Sequence, residues 1–269
     1  MKSISLKQKI GTTEENSLIF GDAVKILKSI PNHSIDHCIT DPPYNISGYD
    51  HKKKIGWLES NGIWTKDKNF SKIDANWDKF SDNEYLVFTK DWISEVVRIL
   101  KPNGNIIVFG SYHNIYQIGS ILQSLDRKLI NSIVWYKRNA FPNVTQRMLC
   151  ESTEHMVWAV NETKKNAKNW TFNYKVLKEL NGGVQMRNMW DIPSTPTSEK
   201  KHGKHPSQKP IKLISRLIAG LSNKGDIIID PFMGSGTIPV AAHILDRNFI
   251  GIDNNRYYCE LALKRINDQ

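Results

Sequence analysis

The sequence predicts a doubly wound α/β fold on a mostly parallel sheet, and three observations carry that prediction. Apolar runs of strand length alternate with stretches of helical periodicity along most of the 269 residues. Two of those runs end in turn motifs of unusual composition, Asp41-Pro42-Pro43-Tyr44 and Asp230-Pro231-Phe232-Met233-Gly234-Ser235-Gly236-Thr237. The length suffices for one substantial α/β domain with a smaller appendage and a core that needs no covalent staples.

The elements follow in order. A short strand over 17–20 leads to a helix over 22–29, with Asp22 placed to act as its N-cap. A second strand, 34–40, stops at Pro42-Pro43, which cannot continue a central strand. Between Tyr44 and Phe80 no periodicity is sustained, yet Trp57, Trp64, Phe70 and Trp77 are interspersed, so a mobile loop over about 45–80 that orders over substrate is expected. A helix over 82–100 presents Tyr85, Phe88, Trp92, Ile93, Val96, Val97 and Leu100 at helical spacing and closes at Lys101-Pro102-Asn103-Gly104. A buried strand over 105–109, a helix near 114–125 that His113 and Asn114 could cap, and strands near 129–135 and 155–160 continue the alternation. Regularity weakens over 137–204, where twelve Lys/Arg stand against six Asp/Glu. It returns with a helix over 209–221, a strand over 226–230, a helix over 237–245, a strand over 248–253 and a last helix ending at 267.

A formal net charge of +10 and a sequence pI of about 9.4 point to a polyanionic partner, nucleic acid first. Cys38, Cys150 and Cys259 are odd in number, far apart and not at metal-ligand spacing, so neither a disulfide framework nor a metal site is expected and a reducing cytoplasm is the natural setting. Residues 1–16 lack the apolar stretch of a signal peptide, and no segment approaches ~18 continuous apolar residues. Export and membrane spanning are therefore not expected.

Asp41-Pro42-Pro43-Tyr44 should arise by chance in roughly one in a thousand chains of this length. Its chemistry suits an exocyclic amino group, whose lone pair is delocalised into the base ring. Hydrogen bonds from such an N–H₂ to a carboxylate and to a backbone carbonyl favour a pyramidal nitrogen aimed at a methyl sulfonium. Asp41 can supply the carboxylate, the prolines stiffen the turn and leave carbonyls exposed, and Tyr44 offers a ring on which a flipped base can stack. The plainer alternative is a strand ending in an Asp-Pro turn with Tyr44 packed as core.

The glycine turn lies between a strand and a helix N-terminus, where backbone N–H groups can approach a ligand. It lacks the lysine of a phosphate-binding loop, and Pro239 stands where a dinucleotide fingerprint has its third glycine. Asp253 ends the next strand, a position where carboxylates bind ribose hydroxyls and where a merely solvated acid is the alternative.

Together, Asp-Pro-Pro-Tyr and the Phe-x-Gly-x-Gly of Phe232–Gly236 resemble the amino-methyltransferases that modify DNA. The order of catalytic tetrapeptide, basic segment and late glycine turn resembles their β-group. Lys204-His205-Pro206-Ser207-Gln208-Lys209-Pro210 is similar to that family's segment ahead of the cofactor strand. More narrowly, Gly110–Tyr116, Glu151–Glu154 and Gln185-Met186 look like the DpnA-type methylases of GATC restriction-modification systems. The resemblance implies the S-adenosylmethionine-dependent methyltransferase fold in circularly ordered form. It divides the chain into a catalytic part over 1–136, a target-recognition region over 137–204 and a cofactor-binding part over 205–269.

It also implies roles. Asp230, Phe232, Gly234, Ser235, Gly236 and Thr237 would wrap the methionine part of S-adenosylmethionine, Asp253 would hold its ribose, and Asp22 would meet its adenine. Lys209 and Pro210 would close the pocket, with Asp41 at its edge and Asp41–Tyr44 binding the target base. Lys137, Arg138, Asn139, Asn143, Gln146 and Arg147 lie where the family reads DNA, although such residues contact phosphate more often than base edges. An Asp at position 41 favours adenine N6 over cytosine N4. A cognate restriction endonuclease, as a functional companion rather than a physical partner, and a homodimer are further implied. A cytosine-N4 enzyme, an RNA or protein amide methyltransferase, an inactive DNA-binding scaffold and an NAD-type oxidoreductase are the competing readings.

Overall fold

Alternation along single strands decides how the layers form. In β4 (Asn105–Gly110), Ile106 and Val108 belong to one apolar cluster while Ile107 and Phe109 belong to another. In β3 (His37–Thr40), Cys38 and Ile39 divide the same way. Strands apolar on both faces must be covered on both faces, which is the doubly wound arrangement. The computed structural model describes residues 6–7, 15–46, 80–140, 142, 147–203 and 205–269. Most of the expected substrate loop, residues 47–79, lies outside the described residues, as does Asn143.

The remaining strands are β1 (Leu6–Lys7), β2 (Ser17–Phe20), β5 (Lys128–Tyr136), β6 (Thr153–Val160), β7 (Met189–Asp191), β8 (Ile227–Asp230) and β9 (Asn248–Asp253). They form one sheet in the order β1-β2-β9-β8-β3-β4-β6-β5-β7. Only β6 opposes its neighbours; it runs antiparallel between β4 and β5. Helices α1 (Ala23–Ser29), α2 (Asp82–Ile99) and α3 (Ile115–Ser124) cover one face, and α5 (Ile211–Leu221), α6 (Thr237–Ile244) and α7 (Arg256–Asn267) cover the other. The short α4 (Tyr174–Leu180) packs beside α5. Two strands of the segment 137–204, β6 and β7, are part of the sheet itself. Among the described residues, no helix is long and apolar enough to cross a membrane.

Helix boundaries have local causes. Asp22 accepts a hydrogen bond from the Lys25 N–H at 2.9 Å and so caps α1 as expected. A capping box that the sequence reading did not single out, Ser81 with Glu84, starts α2. Asn114 precedes α3 but makes no capping bond; its carboxamide instead accepts from the Ser111 N–H and donates to the Tyr85 hydroxyl. After α2 the chain turns through Asn103 at φ 62° and then Gly104, where a Cβ would stand 2.3 Å from the Asp36 carbonyl oxygen. Only glycine lets the chain re-enter the sheet that close to β3.

The sheet reverses its winding between β8 and β3, which are parallel neighbours. The chain leaves β3 toward α2 on one face and leaves β8 for α6 on the other. A crevice must open beyond the carboxyl ends of those two strands, where ligands of open α/β sheets bind.

At the opposite end Asn105 ties three elements together. Its side-chain amide donates to the Leu221 and Thr171 carbonyls at 2.8 and 2.9 Å, and its oxygen accepts from the Trp158 indole N–H at 2.8 Å. Asn105→Ala should leave these buried groups without partners and lower unfolding free energy by roughly 2–4 kcal/mol, read from urea denaturation.

Candidate active site

The crevice holds a cavity of about 350 Å³. Its floor is the carboxyl end of the sheet: Asp41–Tyr44 after β3, Pro231–Ser235 after β8, and Asp253–Asn255 closing β9. Asp22 and Phe88 bound it from the α1 and α2 side, and His205 and Ser207–Lys209 cross it from the segment before α5.

The glycine turn is shaped from below. Gly236 adopts φ 75° and lies against α7, where a Cβ would come within 2.4 Å of the Ala262 Cβ. The buried Arg265 guanidinium, reaching up from α7, donates to the Ser235 carbonyl at 2.6 Å and to the Ser235 and Thr237 hydroxyls at 3.0 Å each. Burial lowers that guanidinium to about 10, with Glu199 acting in the opposite direction. Above the turn, Asp253 accepts the Gly234 N–H at 2.9 Å and the Asn255 N–H at 2.7 Å. Burial outweighs these two bonds and raises its carboxyl to about 6. Asp230, 1% exposed, accepts from the Thr40 hydroxyl and the Phe232 N–H at 2.8 and 3.1 Å. Burial, together with Asp41 and Asp253 nearby, raises it to about 8. His205 packs edge-on to Tyr258 and is held down to about 4 by burial, then by Lys209 and Arg265.

The other half of the site is a network of charges around Asp41. The Lys209 ammonium donates to Asp41 Oδ2 at 2.6 Å and lies 3.1 Å from Glu154 Oε2. The Tyr44 hydroxyl is shared between Asp41 Oδ1 at 2.6 Å and Glu154 Oε2 at 3.2 Å. Lys137 completes the network on Glu154 Oε1 at 3.1 Å. Burial holds the Asp41 carboxyl above its usual range although Lys209 opposes it. Burial acts upward on Glu154 too, but Lys209 and Lys137 outweigh it and keep that carboxyl low. Burial would lower Lys209, yet its two carboxylate partners raise it. The Pro43 carbonyl accepts from the Tyr85 hydroxyl at 2.7 Å, so the turn is braced by α2. Carboxylate oxygens have two lone pairs each, so Asp41 retains acceptor capacity on the cavity side.

Most of the residues singled out in the sequence converge here: Asp22, Asp41, Pro42, Pro43, Tyr44, Lys209, Asp230, Phe232, Gly234, Ser235, Thr237 and Asp253 all line the cavity. Lys209 lines the cavity as expected, its ammonium committed to the two carboxylates because a buried ammonium needs such partners. Three placements differ from expectation. Gly236 packs against α7 and does not itself line the cavity. Pro210 stands at the N-cap of α5 and does not line the cavity. Lys137 turns inward to Glu154 instead of facing outward as a DNA contact.

Arg138 and Asn139 follow the end of β5. Arg138 is bound bidentately to Asp191 at 2.9 and 2.7 Å, Asn139 accepts the Ser194 N–H, and Arg147 is exposed. Sequence reasoning gave no individual role to Glu154, Tyr85, His205 or Arg265. Glu154 and His205 entered it only as members of family-like segments and Tyr85 as part of an apolar helix face, while Arg265 stands in a polar stretch of the last helix.

Comparison with known proteins accounts for this arrangement. Residues 35–264 match the family described as DNA methylase, N6/N4 type. The chain is 39% identical over 259 residues to the type II methyltransferase M.HinfI of Haemophilus influenzae, spanning 94% of this chain and 68% of that one. It is 40% identical to M2.LlaDCHI of Lactococcus lactis subsp. cremoris (94% and 90% covered) and 39% identical to M2.DpnII of Streptococcus pneumoniae (93% and 88% covered). Among solved structures, the M1.HpyAVI–SAM complex superposes with a TM-score of 0.63 at 28% identity, over 92% of this chain and 98% of that one. The cytosine-N4-specific PvuII DNA methyltransferase shares the fold at a TM-score of 0.69 and 21% identity, over 94% and 87%. The chain belongs to the N6/N4 DNA methylase family and is a DNA methyltransferase of the type II restriction-modification class.

Proposed function

We propose that the enzyme transfers the methyl group of S-adenosylmethionine to N6 of adenine within GATC. It would act in the cytoplasm as the modifying half of a restriction system, beside an endonuclease and as a homodimer. The observation that carries the reading is the position of Asp41. Its carboxylate sits at the edge of the 350 Å³ cavity, one residue beyond Thr40, which is bonded to the cofactor-side Asp230. The adenine assignment and the GATC site rest on Asp at position 41 and on the likeness to the DpnA-type methylases.

The cavity suits S-adenosylmethionine by the chemistry of its lining. That molecule carries a sulfonium and an ammonium against one carboxylate, and when bound it supplies an already activated methyl group. Asp41, Asp230 and Asp253 line a cavity fit for a cation, and the amino group of a bound ligand would draw the Asp230 proton away. Phe232 offers an apolar surface, Asp253 an acceptor for ribose hydroxyls, and Asp22 the far wall. The turn at Gly234–Gly236, held on Arg265, lets a ligand lie directly on its backbone.

The target amino group is held by Asp41 and by the Pro42 carbonyl, while Tyr85 already occupies that of Pro43. Two acceptors on one N–H₂ favour a pyramidal nitrogen whose lone pair points into the cavity. Tyr44, fixed at its hydroxyl end, supports the flipped base with its ring. The rest of the chemistry is alignment of nitrogen, methyl and sulfur. DNA is recognised along the segment 137–204, with Arg138, Asn139, Asn143 and Arg147 the contacts proposed there. A net charge of +10 implies strongly salt-dependent binding.

Three outcomes test this reading. Labelled S-adenosylmethionine with duplexes containing or lacking GATC should yield N6-methyladenine in the GATC duplex alone; N4-methylcytosine would overturn the choice of base. Asp41→Ala should slow transfer by at least about a hundredfold while retaining cofactor affinity, and full activity in that variant removes its assigned role. The Asp253 carboxyl, raised to about 6, is the stronger acceptor for ribose hydroxyls when ionised. Calorimetric affinity for the cofactor should therefore fall as pH drops through that value, below the separate fall from about 8 that protonated Asp230 imposes, and Asp253→Asn should remove the lower step alone.

A further inference from the structure

Glu154 has no place in the mechanism above, yet it touches both side chains that bind Asp41, Lys209 and Tyr44. We propose that Glu154 is a positioning residue for methyl transfer. From β6 it takes a share of the Lys209 charge and of the Tyr44 hydroxyl, and so leaves the Asp41 carboxylate available to the target amino group. This rests on the reading of Asp41 just given.

The sheet topology explains why a residue so distant in sequence arrives there. Among the described strands, the parallel ones point their carboxyl ends toward the crevice side of the sheet, and β6 alone runs the other way. Its beginning therefore reaches the crevice, and Glu154 is its second residue. The side chain is largely buried, 15% exposed, and faces the 6%-exposed Lys209. From the far side, Lys137 at the end of β5 pulls on Oε1 at 3.1 Å, so the carboxylate is held at both oxygens.

A buried ammonium with three donors distributes them among the acceptors within reach. With both carboxylates present, Lys209 lies at 2.6 Å from Asp41 and 3.1 Å from Glu154. Without Glu154 its charge, with that of Lys137 behind it, would bear on Asp41 alone. Tyr44 would likewise donate to Asp41 only. A carboxylate so heavily engaged is a poorer acceptor for the amino group it must hold.

The groups facing Asp41 are Lys209 from the segment before α5, Tyr44 from its own turn, Glu154 from β6 and Asp230 from β8; His205 lies beyond Lys209 and Lys137 beyond Glu154. Burial raises the Asp41 carboxyl, Lys209 lowers it, and Glu154 raises it again. Because Asp41 must be ionised to act, transfer fails as pH falls through its titration. Removing the Glu154 charge must move that limb to lower pH even as it slows the step. A residue that merely supported the fold would slow the step and leave the limb in place.

The test is single-turnover methyl transfer to duplex DNA against pH, with S-adenosylmethionine affinity measured alongside. Glu154→Gln should lower the plateau rate by about ten- to a hundredfold, shift the acid limb to lower pH and leave cofactor affinity within about twofold. Glu154→Asp should restore the limb and much of the rate. If the glutamine variant does not fold, Lys137→Met gives the opposite sign, because Glu154 then draws more of Lys209 from Asp41 and the limb moves to higher pH.

A Glu154→Gln enzyme with an unmoved limb overturns the proposal, whether its rate is normal or reduced. Asp41→Ala separates the two layers. Activity retained there sinks the reading of Asp41 itself, whereas an inactive Asp41→Ala beside an unaltered Glu154→Gln sinks only the role of Glu154.

Discussion

The parallel pairing of β3 with β8 is the constraint from which the site follows. The two strands send their chains to opposite faces, so neither outgoing connection covers their carboxyl ends. A single buried hydrogen bond, Thr40 to Asp230 at 2.8 Å, closes the two ends together. The Asp41–Tyr44 turn and the glycine turn, to which base and cofactor are assigned under the proposed function, thus begin within one hydrogen bond of each other. Direct transfer between two bound molecules requires that proximity, and here the backbone supplies it before either ligand arrives.

Charge is arranged in two opposed zones. The chain as a whole carries +10, a field that draws in phosphates from a distance. The crevice is instead lined by Asp22, Asp41, Asp230 and Asp253, and burial raises Asp41, Asp230 and Asp253 above the usual carboxylate range. Lys209 is the one cation set among them, and it is neutralised by Asp41 and Glu154. A polyanion is therefore attracted to the outside and a cation to the inside, so the two ligands do not compete for one surface.

The fold was largely legible because periodicity and punctuation agreed. Strand 248–253 and the Asp22 cap came directly from the residues, and the helix predicted over 82–100 ends one residue earlier, at Ile99. The cavity lining was legible for the same reason, since both turn motifs sit at strand ends, where the switch point gathers them. What escaped was the chemistry that depends on pairing. Lys137 reads as a DNA contact because a lysine in a basic stretch carries no mark of the glutamate it meets across β5 and β6. Arg265, in a polar stretch of the last helix, gives no sign that it supports a turn 30 residues earlier.

The circular order of the chain bears on how the protein comes into being. Thr40 and Asp230 are separated by 190 residues, and β2 near the start pairs with β9 near the end. Contacts of such long sequence separation are slow to form and close late in folding. During synthesis, Asp41–Tyr44 leaves the ribosome before β8, α6 and β9, so the place beside β3 fills only when they follow. The crevice of a ribosome-bound chain is therefore incomplete until β8 and β9 have paired, and competence arrives with those strands rather than growing with length.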